Sequence, residues 1–384
     1  MKTLLFALLI IVVCSCSEQK KEQTFVEKYK LYKPEDLIID AFKNKDVIFI
    51  GEAHWIKEEV DFIKSIIPVL NKNDINILFS EFVSYDDTKL IDSLLTADKF
   101  DEKLARSITS RSLFEWSYQE YIDILHVAWE VNQKSEKQFR IIGLLKDYNC
   151  SAIQKPEDFN DPEKRKAFFG DGESDWANRI IDETYKKNKK ALVYCGAHHS
   201  ITHYVQPLVE DGKFIGKANK NDRVGQCVYN KYPETTITIW IHHSWAGKKG
   251  LDDKLVIPMH SYFDKLVDSL PSDFKSYAFF TNESILGEIV DSSSYYSLGY
   301  DSFTLKDLCH GYIVLKPVCN QNLAGYIENF IDTNSIKHAQ EQVRVWLDIK
   351  DISIEAINDT LKNWYNQKLE AFNKGKRGLC HLED

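Results

Sequence analysis

Apolar residues arrive along this chain in short unbroken runs, each closed by a glycine or a polar group. Val47-Ile48-Phe49-Ile50 leads into Gly51, Glu52, Ala53 and His54. Four apolar residues of that kind predict a strand buried on both faces. Ile75–Phe82 is a second run, with Glu81 near its end, and Phe139–Leu144 a third, closing around Gly143. Ala191-Leu192-Val193-Tyr194-Cys195 is a fourth and runs into Gly196, Ala197, His198 and His199. Between the first two runs, Glu58–Leu70 spaces Val60, Ile63, Ile66, Ile67 and Leu70 for one face of a helix, with Pro68 marking a kink or stop. Strand, helix, strand over so few residues is a βαβ unit, and its strands are parallel.

The remaining pattern extends this plan. Lys33–Lys45 predicts a helix ahead of the first strand. Asp87 to about Asn132 predicts helical structure, best defined over Ser117–Val131. Asn149–Asp175 is polar, carries Pro156, Pro162, Gly170 and Gly172, and predicts a long loop or lid. Trp176–Lys187 and Tyr204–Glu210 predict helices. Arg223–Tyr229, Thr235–Ile241, Leu266–Phe280 and Cys309–Leu315 predict further strands, and Asn322 to about Asn373 more helix. The fold class expected is α/β: a mostly parallel central sheet flanked by helices, with a helical insertion over about 86–135 and a helical C-terminus. One α/β domain is expected over 33–320, with 321–384 packed on it as helices.

Composition adds a constraint. The formal net charge of -9 argues against a nucleic-acid partner, which would want a basic face. At the start, Lys2 precedes an apolar run, Leu4–Val13, too short to cross a bilayer and right for a signal peptide over 1–16. Val13-Cys14-Ser15-Cys16 is similar to a bacterial lipobox, with Cys16 as the lipidated residue and 17–32 as a polar tether. That implies an exported protein with the lipid bilayer as partner, anchored at the outer membrane or on the periplasmic face. Six further cysteines can then oxidise, and their spacing does not select a pairing.

Parallel strands end on one edge of a sheet, where ligands bind. Glu52, His54, Glu81, His198 and His199 should therefore converge. Carboxylates and imidazoles together can hold a divalent metal, for which His54, Glu81 and His199 are the candidate ligands. They can also run acid–base chemistry on water. Arg111 and Arg179 are candidates for a substrate carboxylate or phosphate. Glu58 and Glu59 suit the start of a helix, and His242 and His243 read as structural. The chain has no G-x-S-x-G, H-E-x-x-H or Walker A motif, so the nucleophile of a hydrolase would be activated water.

Gly51-Glu52-Ala53-His54 resembles the first motif of the erythromycin esterase, ChaN-like and Tiki/TraB superfamily. Glu81 in Phe79-Ser80-Glu81-Phe82 matches its second motif. Gly196-Ala197-His198-His199 matches its third, with either histidine in the functional place. Trp116-Ser117-Tyr118-Gln119-Glu120, and Arg140–Leu144 followed by Arg179, are similar to the esterase branch in particular. The resemblance covers roughly residues 40–320. Two departures stand out: no Thr separates Ala53 from His54, and Leu144 and Leu145 stand where an acid is usual. The resemblance implies catalytic roles for the Glu/His set and a substrate-binding role for Glu120. Its esterase and Tiki branches imply hydrolysis of a small-molecule or peptide substrate, metal-dependent in the latter. Its ChaN-like branch implies haem binding without catalysis, with Tyr194 and Tyr204 as candidate haem ligands. The function expected is a membrane-anchored hydrolase, and a haem- or small-ligand-binding lipoprotein is the alternative.

Overall fold

The computed structural model describes residues 26–170 and 172–380. The expected signal peptide, Cys16 and the first part of the tether lie outside them. The tether expected to reach residue 32 is already packed before that point: Tyr29 and Leu31 are buried, and Tyr32 bridges to Ala278.

A seven-stranded sheet forms the centre. Its strands are β1 (Val47–Glu52), β2 (Ile77–Ser84), β3 (Arg140–Leu145), β4 (Ala191–Gly196), β5 (Thr236–Ile241), β6 (Tyr277–Phe280) and β7 (Gly311–Val314). They lie in the order β6-β7-β5-β1-β4-β2-β3, and every pairing is parallel except β6 with β7. This is the mostly parallel sheet expected. All six residues of β1 are buried. Side chains alternate across a strand, so Ile48 and Ile50 enter the larger core with Ile63, Ile66 and Tyr121. Val47 and Phe49 face the other way, toward Trp176, Ile180 and Val224. Helices cover both faces, which is why the strands read as unbroken apolar runs.

The helical regions divide more finely than the pattern predicted. Helix α1 is Pro34–Phe42, and α2 is Lys57–Lys72, which runs on past Pro68. The insertion between β2 and β3 is three helices: α3 (Thr88–Thr96), α4 (Glu102–Ser112) and α5 (Gln119–Lys134). The polar lid region contains α6 (Pro162–Phe169) and leads into α7 (Glu173–Glu183). At the C-terminus stand α10 (Ile336–Leu347) and α11 (Ile354–Cys380), beyond α8 and α9, described next.

Three expectations are corrected. Arg223–Tyr229 is no strand but the short helix α8 (Val224–Tyr229). Its start is capped by side chains: Glu173 accepts from the Val224 N–H at 2.7 Å, and the helix's own Gln226 accepts from the N–H of Arg223, the residue before it, at 3.2 Å. Capping of this kind outweighs the β preference of Val, Cys and Tyr. Tyr204–Glu210 is no helix; Pro207–Glu210 pairs with Lys213–Lys217 in a hairpin. Asp211 and Gly212 turn it with φ of 49° and 73°, the two positive values that a tight hairpin of matching twist needs. Leu266–Phe280 is strand only over β6, and its first residues end the helix α9 (Tyr262–Ser269).

One disulfide, Cys319–Cys380, ties the end of α11 back to the chain after β7. Cys150, Cys195, Cys227 and Cys309 are free thiols, and Cys195 is buried in β4 as a small apolar residue. Among the described residues, no helix is long and apolar enough to cross a membrane.

Candidate active site

The strand order assembles the site. β4 lies between β1 and β2, with Glu52 opposite Gly196 and Ser80 opposite Tyr194. The turn after β4 thus falls between the ends of the two carboxylate-bearing strands. Gly196 is needed there, because an added Cβ would stand 2.8 Å from His54 Nε2.

Glu52 is buried at the end of β1 and faces three donors. His54 Nδ1 lies 2.6 Å from its Oε1, the Tyr121 hydroxyl donates at 3.0 Å, and the Tyr194 hydroxyl donates to Oε2. Burial raises the Glu52 carboxyl above its ordinary value, while the bonds from His54 and Tyr121 oppose that rise. On His54 burial disfavours charge. The Glu52 bond and the Glu81 carboxylate outweigh it and raise the imidazole to about 9. The His54 side chain is 28% exposed, so the ring is supported from behind and open in front.

Glu81 stands between two imidazoles. Its Oε1 is 4.0 Å from His54 Nε2 and 3.5 Å from His199 Nε2, and its Oε2 accepts from the Gly196 N–H at 2.8 Å. Burial would raise this carboxyl, but His199, His54 and the Gly196 bond bring it below the usual value. On its other side, His199 Nδ1 lies 3.0 Å from Glu173 Oε1, short for an ion pair but out of line for a hydrogen bond. Burial lowers His199, and Glu81 and Glu173 more than restore it. Arg223 completes the row, 3.1 Å from the same Glu173 oxygen.

His198 points elsewhere. Its Nε2 is 2.9 Å from the Tyr296 hydroxyl, and burial, with Arg223 and His199 nearby, depresses it to about 3. It is neutral, and His199 is the histidine that meets Glu81. A second neutral histidine, His243, sits 3.3 Å from the fully buried Glu59. Burial lowers His243 to about 4 and raises Glu59 well above its ordinary value. Glu59 also accepts from the Ala53 N–H at 2.9 Å, bracing the segment between Glu52 and His54.

The other candidates are engaged within the fold. Glu120 accepts from the Gly325 N–H at 2.6 Å and lies 3.5 Å from Lys57, so it pins the chain before α10. Arg179 donates to the Leu144 carbonyl, approaches Asp175 at 3.6 Å and lies over the Tyr85 ring. Arg111 is 3.3 Å from Asp87. Tyr194 donates to Glu52 and Tyr204 to the Tyr296 carbonyl, and both are buried, so neither hydroxyl fits a haem iron.

The metal assignment is corrected too. Among the described residues, no three His, Cys, Asp or Glu side chains are placed to hold a metal ion. His54, Glu81 and His199 do come together, but Glu81 is the counter-ion of two imidazoles driven toward the charged form. As placed, the three side chains do not form a cation site.

Glu173, Tyr121 and Trp116 complete the surroundings. The Trp116 ring lies 5.1 Å from that of His54. Tyr121 and Glu173 carried no strand-end signal, because they stand on helices. The site opens beside His199 into a cleft of about 670 Å³ that includes Phe159, Phe169, Arg165 and Glu173.

No family model and no curated protein matches this chain. Among solved structures, it is similar to a mutant of the erythromycin esterase EreC in its open conformation, at 10% identity. That match covers 76% of this chain and 94% of the other, with a TM-score of 0.49. A succinoglycan biosynthesis protein matches at 11% identity over 77% of this chain and 97% of the other, with a TM-score of 0.46. The ChaN of Campylobacter jejuni, described with cofacially bound haem, matches at 12% identity over 56% and 89%, with a TM-score of 0.36.

Proposed function

We propose that the protein hydrolyses an ester or amide bond in a small-molecule or peptide substrate, with His54 activating water. The observation that carries this reading is the 2.6 Å contact of His54 Nδ1 with a buried Glu52 that Tyr121 and Tyr194 also hold. A carboxylate behind an imidazole fixes its tautomer and stabilises the cation formed when the ring takes a proton. In the first step His54 Nε2 takes a proton from water as the water oxygen bonds to the carbonyl carbon. His199, held toward its charged form by Glu81 and Glu173, gives a proton to the leaving oxygen or nitrogen as that bond breaks. Solvent returns the proton from His54 to His199. No step runs through a metal or haem.

The test is hydrolysis of para-nitrophenyl acetate, para-nitrophenyl butyrate and a macrocyclic lactone. A positioned general base contributes roughly 10²–10⁴-fold. His54→Ala is therefore expected to lose at least about a hundredfold in kcat/KM, with its circular dichroism unchanged. Equal rates for wild type and His54→Ala on every substrate would sink the proposal. The reading includes a location: the lipobox-like run ending at Cys16 supports an enzyme anchored to a bacterial membrane and acting on substrates outside the cytoplasm.

A further inference from the structure

One wall of the site is rich in donors and poor in acceptors. Trp55 follows His54 directly, and its ring centroid is 5.8 Å from the imidazole. The Trp116 ring is 5.1 Å from His54 and 6.1 Å from Trp55. Both indole Nε1 atoms are buried without a hydrogen-bond acceptor among the described residues, and the Trp116 residue is 4% exposed. Buried donors are nearly always paired, so two orphans beside one imidazole call for a reason. The Trp55 backbone has φ of 72°, an uncommon and costly conformation for a bulky side chain. Strain of this kind gathers at ligand sites.

Lys368 closes the same wall from α11. Its ammonium lies 3.1 Å from the Trp55 ring centroid and donates to the Tyr118 hydroxyl at 2.8 Å. Among the described residues no carboxylate stands within ion-pair distance of it; Glu115, whose charge reaches it, is exposed. Burial brings the ammonium down to about 8. Two other half-buried lysines, by contrast, have a carboxylate partner: Lys57 has Asp61 and Lys64 has Asp123. The ammonium thus lies over a ring that is itself 5.8 Å from the His54 imidazole, and the indole N–H groups of Trp55 and Trp116 lack an acceptor.

The geometry points to an anion-recognition subsite formed by Trp55, Trp116 and Lys368, one that takes a carboxylate or phosphate group carried by the substrate. Lys368 supplies the charge and the indoles supply neutral donors. The Glu81–His199 side of the site is left for the scissile carbonyl. The inference rests on the hydrolase reading only in calling the anion part of a substrate.

Calorimetric titration of the whole protein with benzoate, phenyl phosphate and neutral benzamide tests it without any turnover. A hydrogen bond to a charged group is worth about tenfold or more in affinity. Wild type should therefore bind benzoate or phenyl phosphate at least about tenfold tighter than benzamide. The tighter of the two anions names the group, and either result supports the subsite. Lys368→Met keeps the aliphatic stem over Trp55 and should abolish the preference, while Lys368→Arg should keep most of it. Trp116→Phe, which removes one N–H and keeps a ring, should weaken anion binding by a smaller factor. An anion preference that is absent in wild type, or equal in wild type and Lys368→Met, overturns the inference. Ester hydrolysis by His54 is measured separately, so either reading can fail while the other stands.

Discussion

His54 is the residue on which the chemistry turns, and its protonation sets a pH dependence. Burial disfavours its charge, yet the Glu52 bond and the Glu81 carboxylate raise it from 6.5 to about 9. A general base must be deprotonated, so at neutral pH only a small fraction of the enzyme is ready to react. Hydrolysis is expected to climb from neutral pH with a rising limb centred near pH 9, where His54 loses its proton, and to bend down where the general acid His199 loses its own; kcat/KM reports both in the free enzyme. The sign is set by the direction of the shift: with a histidine of ordinary value the rising limb would be centred near 6.5. Tyr121→Phe removes one donor to Glu52, and with it one of the influences that favour the Glu52 carboxylate. The wild-type profile, followed from about pH 6 to about pH 10 on para-nitrophenyl acetate, decides the matter. A plateau already reached by neutral pH would mean that His54 is not the group titrating.

Among the elements, α11 stands out for how little of it is buried. Ile357, Asn358 and Leu361 anchor its first half. Its second half, which carries Lys368, is held by the Lys376 bond to the Gln321 carbonyl at 2.8 Å and by the Cys319–Cys380 disulfide. The bridge closes a loop across a sequence separation of 61 residues, and removing such a cross-link costs about 2–4 kcal/mol. Replacing both cysteines by serine is expected to lower the urea midpoint accordingly and to loosen Lys368 from Trp55, seen as a change in tryptophan fluorescence. An unchanged midpoint would show that packing alone holds the helix. The same scale explains what the pattern misjudged. The Asp211-Gly212 hairpin signal was present, directly after the run Tyr204–Glu210 that reads as helix. The helix Val224–Tyr229 depends on Glu173, about fifty residues earlier in the chain.

At the scale of the whole molecule, strand order turns separate motifs into a site. The run from Val47 to His54 and the run from Ala191 to His199 were each legible as a buried strand with polar residues at its end. Their adjacency, with β4 inserted between β1 and β2, was not, because strand order follows from crossovers rather than from any local signal. The proposed anchor belongs to this scale as well. Full-length protein expressed in a bacterium should sediment with membranes, and Cys16→Ser should release it to the soluble fraction. Equal distribution of the two would remove lipidation from the account.

The sequence by itself determined the strand runs, the βαβ unit, the parallel sheet and the gathering of Glu52, His54, Glu81 and a histidine after β4 at one edge. These follow from hydrophobic periodicity and chain chirality, which act over a few residues. Tertiary structure alone decided that His199 faces Glu81 while His198 turns to Tyr296, that Glu173 backs His199 and Tyr121 holds Glu52, and that Cys319 pairs with Cys380. It also brought Lys368 to Trp55, across more than three hundred residues of chain. Pairings of this kind, and the charge states they set, depend on which distant groups are buried together. No local pattern encodes that.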